Sequence, residues 1–387
     1  MTLGRPGPDD RTPVRAPARW FRRRNLVVAL SLLLAGVAAL TVVTHLPSAA
    51  QQAVAGPIVV ASMPYFNLDH GTSAVLANRG DVNEASPWIY GLDAGGEIVD
   101  QYSPGQRAEV TGDIARLRGA GIRLVPTVAN VVDGDFAYQP IAGILHDSAR
   151  TDAHVAAIVD LVEREDFAGI DIDYEDLHAA DRQAFTDYLT GLAGALHSRG
   201  KLLSVALFAK ATDAGYDQRN VAQDYAAIGR VADQVRLMGY DYHWSTSPPG
   251  AIAPIGWINS VLAYARTQIP PDKIVLGIPM YGYDWVGNQG ASVTWQQAVR
   301  LAQRHHVPIT YDKATQSPWF RYTDSAGTVH EVWFENAASV AAKLSAARAA
   351  GAGGVFLWLY GPEDTGMWPA LHQAYPLPRA ARDTGRP

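Results

Sequence analysis

Between Gly56 and Pro376, short runs rich in Val, Ile and Leu alternate with longer stretches of helical periodicity, and eight such strands can be traced. That alternation predicts an α/β fold, a closed (β/α)8 TIM barrel with parallel strands and crossover helices. A second observation concerns length. The segment exceeds the roughly 250 residues that such a barrel needs, so it must carry an insertion, and a turn-rich stretch between the seventh strand and the seventh helix supplies one. A third is composition: 48% hydrophobic and 18% charged residues with no cysteine describe a folded globular chain without disulfides or thiolate metal sites.

The elements follow in order. Strands are expected at Ile58 to Ser62, Trp88 to Leu92, Arg123 to Val128, Phe167 to Asp173, Leu202 to Phe208, Gln234 to Tyr240, Ile274 to Met280 and Gly354 to Tyr360. Helices are expected at Ala108 to Ala120, Ala153 to Arg164, Ala180 to Ser198, Ala222 to Val231, Ile258 to Thr267 and Ala337 to Ala350. The insertion, about residues 286 to 335, reads as a small α+β lobe. It holds a helix at Thr294 to His305, strand-like pieces at Pro308 to Tyr311, Trp319 to Thr323 and His330 to Phe334, and a turn at Asp324-Ser325-Ala326-Gly327. Leu377 to Pro387 reads as a polar tail.

Ahead of the barrel the charge distribution is uneven. Arg5, Arg11, Arg15, Arg19, Arg22, Arg23 and Arg24 face only Asp9 and Asp10 in residues 1–25, so the rest of the chain is more acidic than the total of −6. An acidic body argues against nucleic-acid partners. Leu26 to Leu46 contains no Asp, Glu, Lys or Arg and is long enough as a helix to cross a bilayer. Arginines before it and none after predict a cytoplasmic tail (1–25), a signal anchor (26–46), a linker (47–55) and a catalytic domain outside the cell. Secretion after cleavage near Ala50 or Ala55 is the alternative.

The chemistry concentrates in Phe167-Ala168-Gly169-Ile170-Asp171-Ile172-Asp173-Tyr174-Glu175. On a strand, Asp171, Asp173 and Glu175 share one face and Ile170, Ile172 and Tyr174 the other. In a barrel the acids climb the interior towards the C-terminal mouth, where barrel enzymes place their chemistry. Mutual repulsion should raise at least one carboxyl towards neutrality, giving a proton donor, and Glu175 at the top is the natural general acid. A magnesium or manganese site is the competing use of such acids, but no histidine cluster joins them, and neither metal nor cofactor is expected.

This stretch resembles the Asp-x-x-Asp-x-Asp-x-Glu signature of glycoside hydrolase family 18, the chitinase-like barrels, met here at Asp171, Asp173 and Glu175 with Ala168 replacing the first Asp. Met238-Gly239-Tyr240-Asp241 resembles the family's Met-x-Tyr-Asp motif, Lys273 to Trp285 its seventh strand, and Trp358 the aromatic floor on its eighth. The stretches Gln316 to Tyr322 and Glu331 to Glu335 resemble the bacterial spore-cortex-lytic subgroup in particular. The resemblance implies a glycosidase acting on glycan that contains N-acetylglucosamine, chitin-like or peptidoglycan. Glu175 would be acid and base, Asp173 with a proton shared from Asp171 would orient the 2-acetamido group, and Tyr240 would hydrogen-bond its oxygen. Met238, Asp241, Tyr281 and Trp358 would bind substrate. Asp241 has the wrong strand parity, so its role depends on the chain turning after Tyr240. Trp88, Trp244 and Trp285 follow strand ends and could extend the cleft or pack as core. A monomer is expected. A non-catalytic glycan-binding protein of the same fold is the alternative, and such lectins typically lack the acid that this chain keeps at Glu175.

Overall fold

The computed structural model describes residues 56–361 and 363–378, so the tail, the apolar segment and the linker expected at residues 1–55, and the end of the C-terminal tail, lie outside the described residues. Eight parallel strands form a closed barrel: β1 (Ile58–Pro64), β2 (Glu84–Leu92), β3 in two pieces (Arg123–Leu124 and Thr127–Ala129), β4 (Gly169–Asp173), β5 (Leu202–Phe208), β6 (Gln234–Met238), β7 (Ile274–Pro279) and β8 (Gly354–Trp358). Each pairs in parallel with its neighbours, and β1 closes the ring by pairing with both β8 and β2.

Alternation assigns the two faces. Val59, Ala61, Ile170, Ile172, Leu203, Val205, Leu207, Val235, Leu237, Val355 and Leu357 point outward into one buried cluster with the helix layer. That cluster takes in Ile114 and Leu117 of helix Arg107–Gly119, Ile158 and Val162 of Ser148–Arg164, and Leu189 and Leu192 of Arg182–His197. The residues between them face inward. Val60, Met238, Val275 and Phe356 make an apolar patch on one side of the interior, while Glu84, Ser86, Thr127, Asp171, Ser204 and Arg236 fill the other side with buried polar groups. Burial of that kind is tolerated only when the groups satisfy one another.

Several boundaries differ from the sequence expectation. β2 begins at Glu84, four residues before Trp88, because its early inward positions are the polar Glu84 and Ser86 rather than the apolar residues that mark a strand. β3 is broken at Val125-Pro126, since proline cannot donate to the ladder. Short helices at Leu68–Ala77, Tyr138–Leu145 and Trp368–Ala374 were not expected. The helix expected at Ala222 to Val231 is divided into Gln218–Ala222 and Tyr225–Val231, the second opening on an Asp224 cap.

The insertion is a five-stranded antiparallel sheet in the spatial order Gln289–Thr294, Tyr281–Val286, Val329–Phe334, Ser317–Thr323, Thr310–Asp312. Helix Trp295–Arg304 packs Ala298 and Ala302 against Val293, Phe320, Val332 and Phe334. The lobe therefore starts at Tyr281 rather than near 286. The reason is a tight hairpin: Val286 pairs with Gln289 across Gly287-Asn288, and Gly287 at φ +60° supplies the backbone that a two-residue turn requires. The stretch Lys273 to Trp285 thus holds two elements, β7 and the first strand of the lobe.

Candidate active site

The carboxylates stand at the C-terminal end of β4. Asp171 lies deepest, 3% exposed; it accepts from Thr127 Oγ1 on β3 (2.9 Å) and Ser204 Oγ on β5 (2.6 Å), and it forms an ion pair with Arg236 Nη1 on β6 (3.1 Å). Arg236 also donates to Ser86 Oγ (2.6 Å) and to Glu84 Oε1 (2.8 Å) on β2. Asp173, one rung higher, accepts from the Trp88 indole N–H at 3.2 Å through Oδ2, while its buried Oδ1 has no hydrogen-bond partner in the protein. Burial first, and the charge of Asp171 second, push the Asp173 carboxyl up to about 7, against the Trp88 hydrogen bond and Arg236. The ordering of causes differs from the expectation, which placed mutual repulsion foremost.

Regular strand ends at Asp173, and Glu175 is placed by another device. Its backbone N–H donates to Asn130 Oδ1 (2.8 Å), and its carbonyl accepts from Asn130 Nδ2 (2.9 Å). The following residue, Asp176, turns the chain at φ +55°, a conformation that Asp tolerates better than most side chains. Burial, then the charges of Asp173 and Asp176, hold the Glu175 carboxyl well above the usual carboxylate range, with Arg219 opposing and Asp241 adding to the rise. These surroundings favour its protonated form over that of an ordinary carboxyl.

Two cavities meet at this residue. One, of about 330 Å3, is walled by Trp88, Phe136, Asp173 and Trp358, and the other, of about 420 Å3, by Phe208, Tyr216, Arg219 and Trp244. Glu175, Met238, Tyr240 and Asp241 line both. Asp241 reaches the cleft because β6 stops at Met238 and Asp241 itself adopts φ +55°, so the strand parity that argued against it does not apply. Its Oδ1 accepts from the hydroxyls of Tyr281 (2.6 Å) and Tyr283 (3.2 Å), both on the inserted lobe. Burial raises the Asp241 carboxyl, and those two hydroxyls oppose the rise.

Seven of the eight residues singled out from the sequence therefore line one or both cavities: Asp171, Asp173, Glu175, Met238, Tyr240, Asp241 and Trp358. Tyr281 stands behind Asp241, 6% exposed, and its neighbour Tyr283 is the one at the cavity wall. Trp88 and Trp244 border the cavities, whereas Trp285 is 1% exposed core beneath Trp244. Asn130, Arg219 and Arg236 escaped the sequence reading. For Arg236 a signal existed: it is a lone cation in an apolar strand, two residues before Met238 and so on the same inward face. Asn130 carried none. Among the described residues no group of three or more His, Cys, Asp or Glu is disposed to hold a metal ion, and no helix is long and apolar enough to cross a membrane.

Comparison with known proteins bears on what such a cleft does. Residues 108–362 match the model of the glycosyl hydrolases of family 18. A cortical fragment-lytic enzyme of Bacillus cereus is 34% identical over 275 residues, covering 69% of this chain and 64% of that protein. The chain spans between 59% and 64% of the length of the Bacillus cortical fragment-lytic relatives. Among solved structures, a chitinase from Chromobacterium violaceum superposes with a TM-score of 0.77 at 30% identity, covering 82% of this chain and 98% of the other. The spore cortex-lytic enzyme SleL of Bacillus cereus superposes with a TM-score of 0.75 at 28% identity, covering 82% and 74%.

Proposed function

The chain belongs to glycosyl hydrolase family 18, and from that premise we propose that it is an extracytoplasmic glycosidase that cleaves β-linked glycan at N-acetylglucosamine, by a retaining mechanism in which the substrate supplies the nucleophile. One observation carries the reading: Glu175, whose carboxyl is raised by its surroundings, stands where two cavities meet, so a chain lying through both would present its linkage to that group. The acid of a glycosidase must sit between the sugar it releases and the sugar it retains.

The sugar to be attacked stacks on Trp358 in the cavity that holds Asp173. Glu175 gives its proton to the glycosidic oxygen as the C1–O bond breaks, and the 2-acetamido carbonyl of the same sugar bonds to C1, forming an oxazolinium ion. Family 18 is among the glycosidases that use this substrate assistance in place of a carboxylate nucleophile. Asp173, ionised, accepts the acetamido N–H and offsets the charge that develops on the ring. Tyr240 donates to the acetamido oxygen. Glu175, now a carboxylate, takes a proton from water, which attacks C1 and reopens the ring with the β configuration restored.

The names of the relatives, cortical fragment-lytic enzymes and chitinases, support a substrate of the peptidoglycan or chitin type, and the identity shared with the former favours peptidoglycan. Placement outside the cell, by the anchor at Leu26 to Leu46, rests on the arginine asymmetry of the sequence. The test is incubation of the protein with purified peptidoglycan and with chitooligosaccharides, with mass spectrometry of the products. Glu175→Gln should lower hydrolysis by at least about a hundredfold, the lower range for general acid/base catalysis, with little change in unfolding temperature. Near-normal turnover in a folded Glu175→Gln protein would overturn the assignment.

A further inference from the structure

One wall of the larger cavity is built by a loop that is wrapped around a buried cation, and the chemistry above does not use that cation. Between β5 and helix Tyr225–Val231 the chain makes a long excursion that holds only the short helix Gln218–Ala222. Lys210, near its start, is fully buried and lines neither cavity. Its Nζ donates to the carbonyls of Asp213 (3.0 Å), Asn220 (2.9 Å) and Gln223 (2.7 Å), with Asp213 Oδ1 at 3.3 Å and the Tyr225 ring centre 4.8 Å away. Tyr225 also ties the foot of the loop: its hydroxyl donates to the Phe208 carbonyl (2.5 Å) and accepts from the Lys210 N–H (3.2 Å).

An ammonium has three N–H donors and no acceptor, and away from water it is costly unless those donors find oxygens. Here three backbone carbonyls from separate points of one loop meet it. An apolar side chain would fill the space without the desolvation cost but could not gather carbonyls. Asn220 connects the buried cation to the cavity. Its carbonyl accepts from Lys210, and its Oδ1 accepts from the N–H groups of Tyr216 (2.8 Å) and Asp217 (3.1 Å). Gly215 makes this turn possible at φ +57°, where a Cβ would collide with the Asn220 side chain. The same stretch supplies Tyr216, Asp217, Arg219 and Asn220 to the cavity that contains Glu175.

We propose that Lys210 is a positioning residue for the leaving part of the glycan: by gathering the carbonyls of Asp213, Asn220 and Gln223, its ammonium holds the loop in the shape that walls the cavity beyond Glu175, and so sets how tightly sugars in that cavity bind. The assignment of this cavity to the leaving sugars rests on the function proposed above, because the attacked sugar is placed on Trp358 in the other one. The anchoring of the wall does not.

The experiment compares two substrates of the full-length protein: an extended glycan, as chitooligosaccharide or soluble peptidoglycan fragment, and chitobiose carrying an aryl leaving group, which places no sugar beyond Glu175. Lys210→Met keeps the length of the side chain and removes its donors. In that variant kcat/KM for the extended glycan should fall about tenfold relative to that for the aryl substrate, the scale of one lost hydrogen bond between sugar and wall, and the fall should lie in KM. Lys210→Ala should show the same loss, and added propylammonium, which replaces the missing atoms, should reverse it. If Lys210→Met does not fold, Lys210→Ala prepared in propylammonium and then dialysed free of it gives the same comparison. An equal fall for both substrates, no fall, or a fall that propylammonium does not reverse overturns the proposal. Absence of hydrolysis of both substrates by the unaltered protein overturns the proposed function instead. Amide exchange over residues 211–223 then decides the role of Lys210: exchange that is faster in Lys210→Ala and slowed again by propylammonium supports it, and unchanged exchange overturns it.

Discussion

Replacing Asp173 by Asn should make the protein more stable and less active, and the gain should depend on pH. Asp173 is 9% exposed, and its carboxyl is raised from an ordinary 3.8 to about 7. A group whose native pKa lies above its unfolded value binds its proton more tightly when folded. Its contribution to stability is fully present below about pH 4, is lost as pH rises towards 7, and is level above that. At about 1.4 kcal/mol per pH unit, the ionised side chain costs the native state about 4 kcal/mol at alkaline pH. Between pH 5 and pH 9 the loss comes to about 3 kcal/mol. Asn cannot ionise, and its carbonyl can still accept from Trp88. Urea unfolding followed by tryptophan fluorescence at pH 5, 7 and 9 should therefore show the variant gaining about 3 kcal/mol on the unaltered protein across that range, while hydrolysis is lost at every pH. The other acids titrate in both proteins, Glu175 being less raised once the charge of Asp173 is gone, so the difference reports position 173 together with its coupling to that neighbour. A stability gap that is the same at pH 5 and pH 9 would refute the reasoning, because the carboxyl would then titrate alike in the folded and unfolded chain.

Four further outcomes are expected. The kcat/KM profile should be bell-shaped, rising as Asp173 ionises near neutral pH and falling at higher pH as Glu175, raised well above the carboxylate range, gives up its proton; a profile that does not rise between pH 5 and 9 would contradict the role of Asp173. Trp358→Ala should lower kcat/KM by about tenfold or more, the equivalent of about 1.4 kcal/mol of lost stacking, while glycans with a free 2-amino group should bind without being cleaved, and their rapid hydrolysis would exclude substrate assistance. The full-length protein should stay in the membrane fraction after washing in high salt, since apolar insertion is insensitive to screening; recovery of a soluble form beginning near Gln51 or Gly56 would show cleavage instead.

Much of this was legible in the sequence wherever alternation had one cause. Ile170 and Ile172 face the helix layer and Asp171 and Asp173 the interior, as a period of two requires. Alternation misled where the interior was not apolar. Glu84 and Ser86 made the start of β2 look like a loop, although they are buried because Arg236 and Thr127 lie across from them. It also stopped short where strands end. Asp241 enters the cleft through a left-handed backbone that no count of residues forecasts, though Asp is among the residues that accept it. The Asn130 clamp was invisible because its partner is the backbone of Glu175, which has no side-chain signature. The hairpin at Gly287-Asn288 could have been read from its glycine, and doing so would have moved the start of the lobe to Tyr281 and placed the hydroxyl of Tyr283 beside Asp241.

With its oxygen and one of its two N–H groups, the carboxamide of Asn130 presents the acceptor and donor that a peptide unit presents across a sheet, and these meet the N–H and the carbonyl of Glu175. The barrel wall is in this way lengthened by a rung made of side chain, one step past the last true strand residue. That rung has a second attachment: Asn130 Nδ2 also donates to the carbonyl of Ala137, whose own N–H returns to the Asn130 carbonyl. Ala137 closes the small ribbon of Val131–Val132 and Asp135–Phe136, and Phe136 forms part of the cavity wall. The backbone of Glu175 and an aromatic wall of the cavity thus hang from one amide. Any displacement of Phe136 would then be felt at the amide that also fixes the Glu175 backbone.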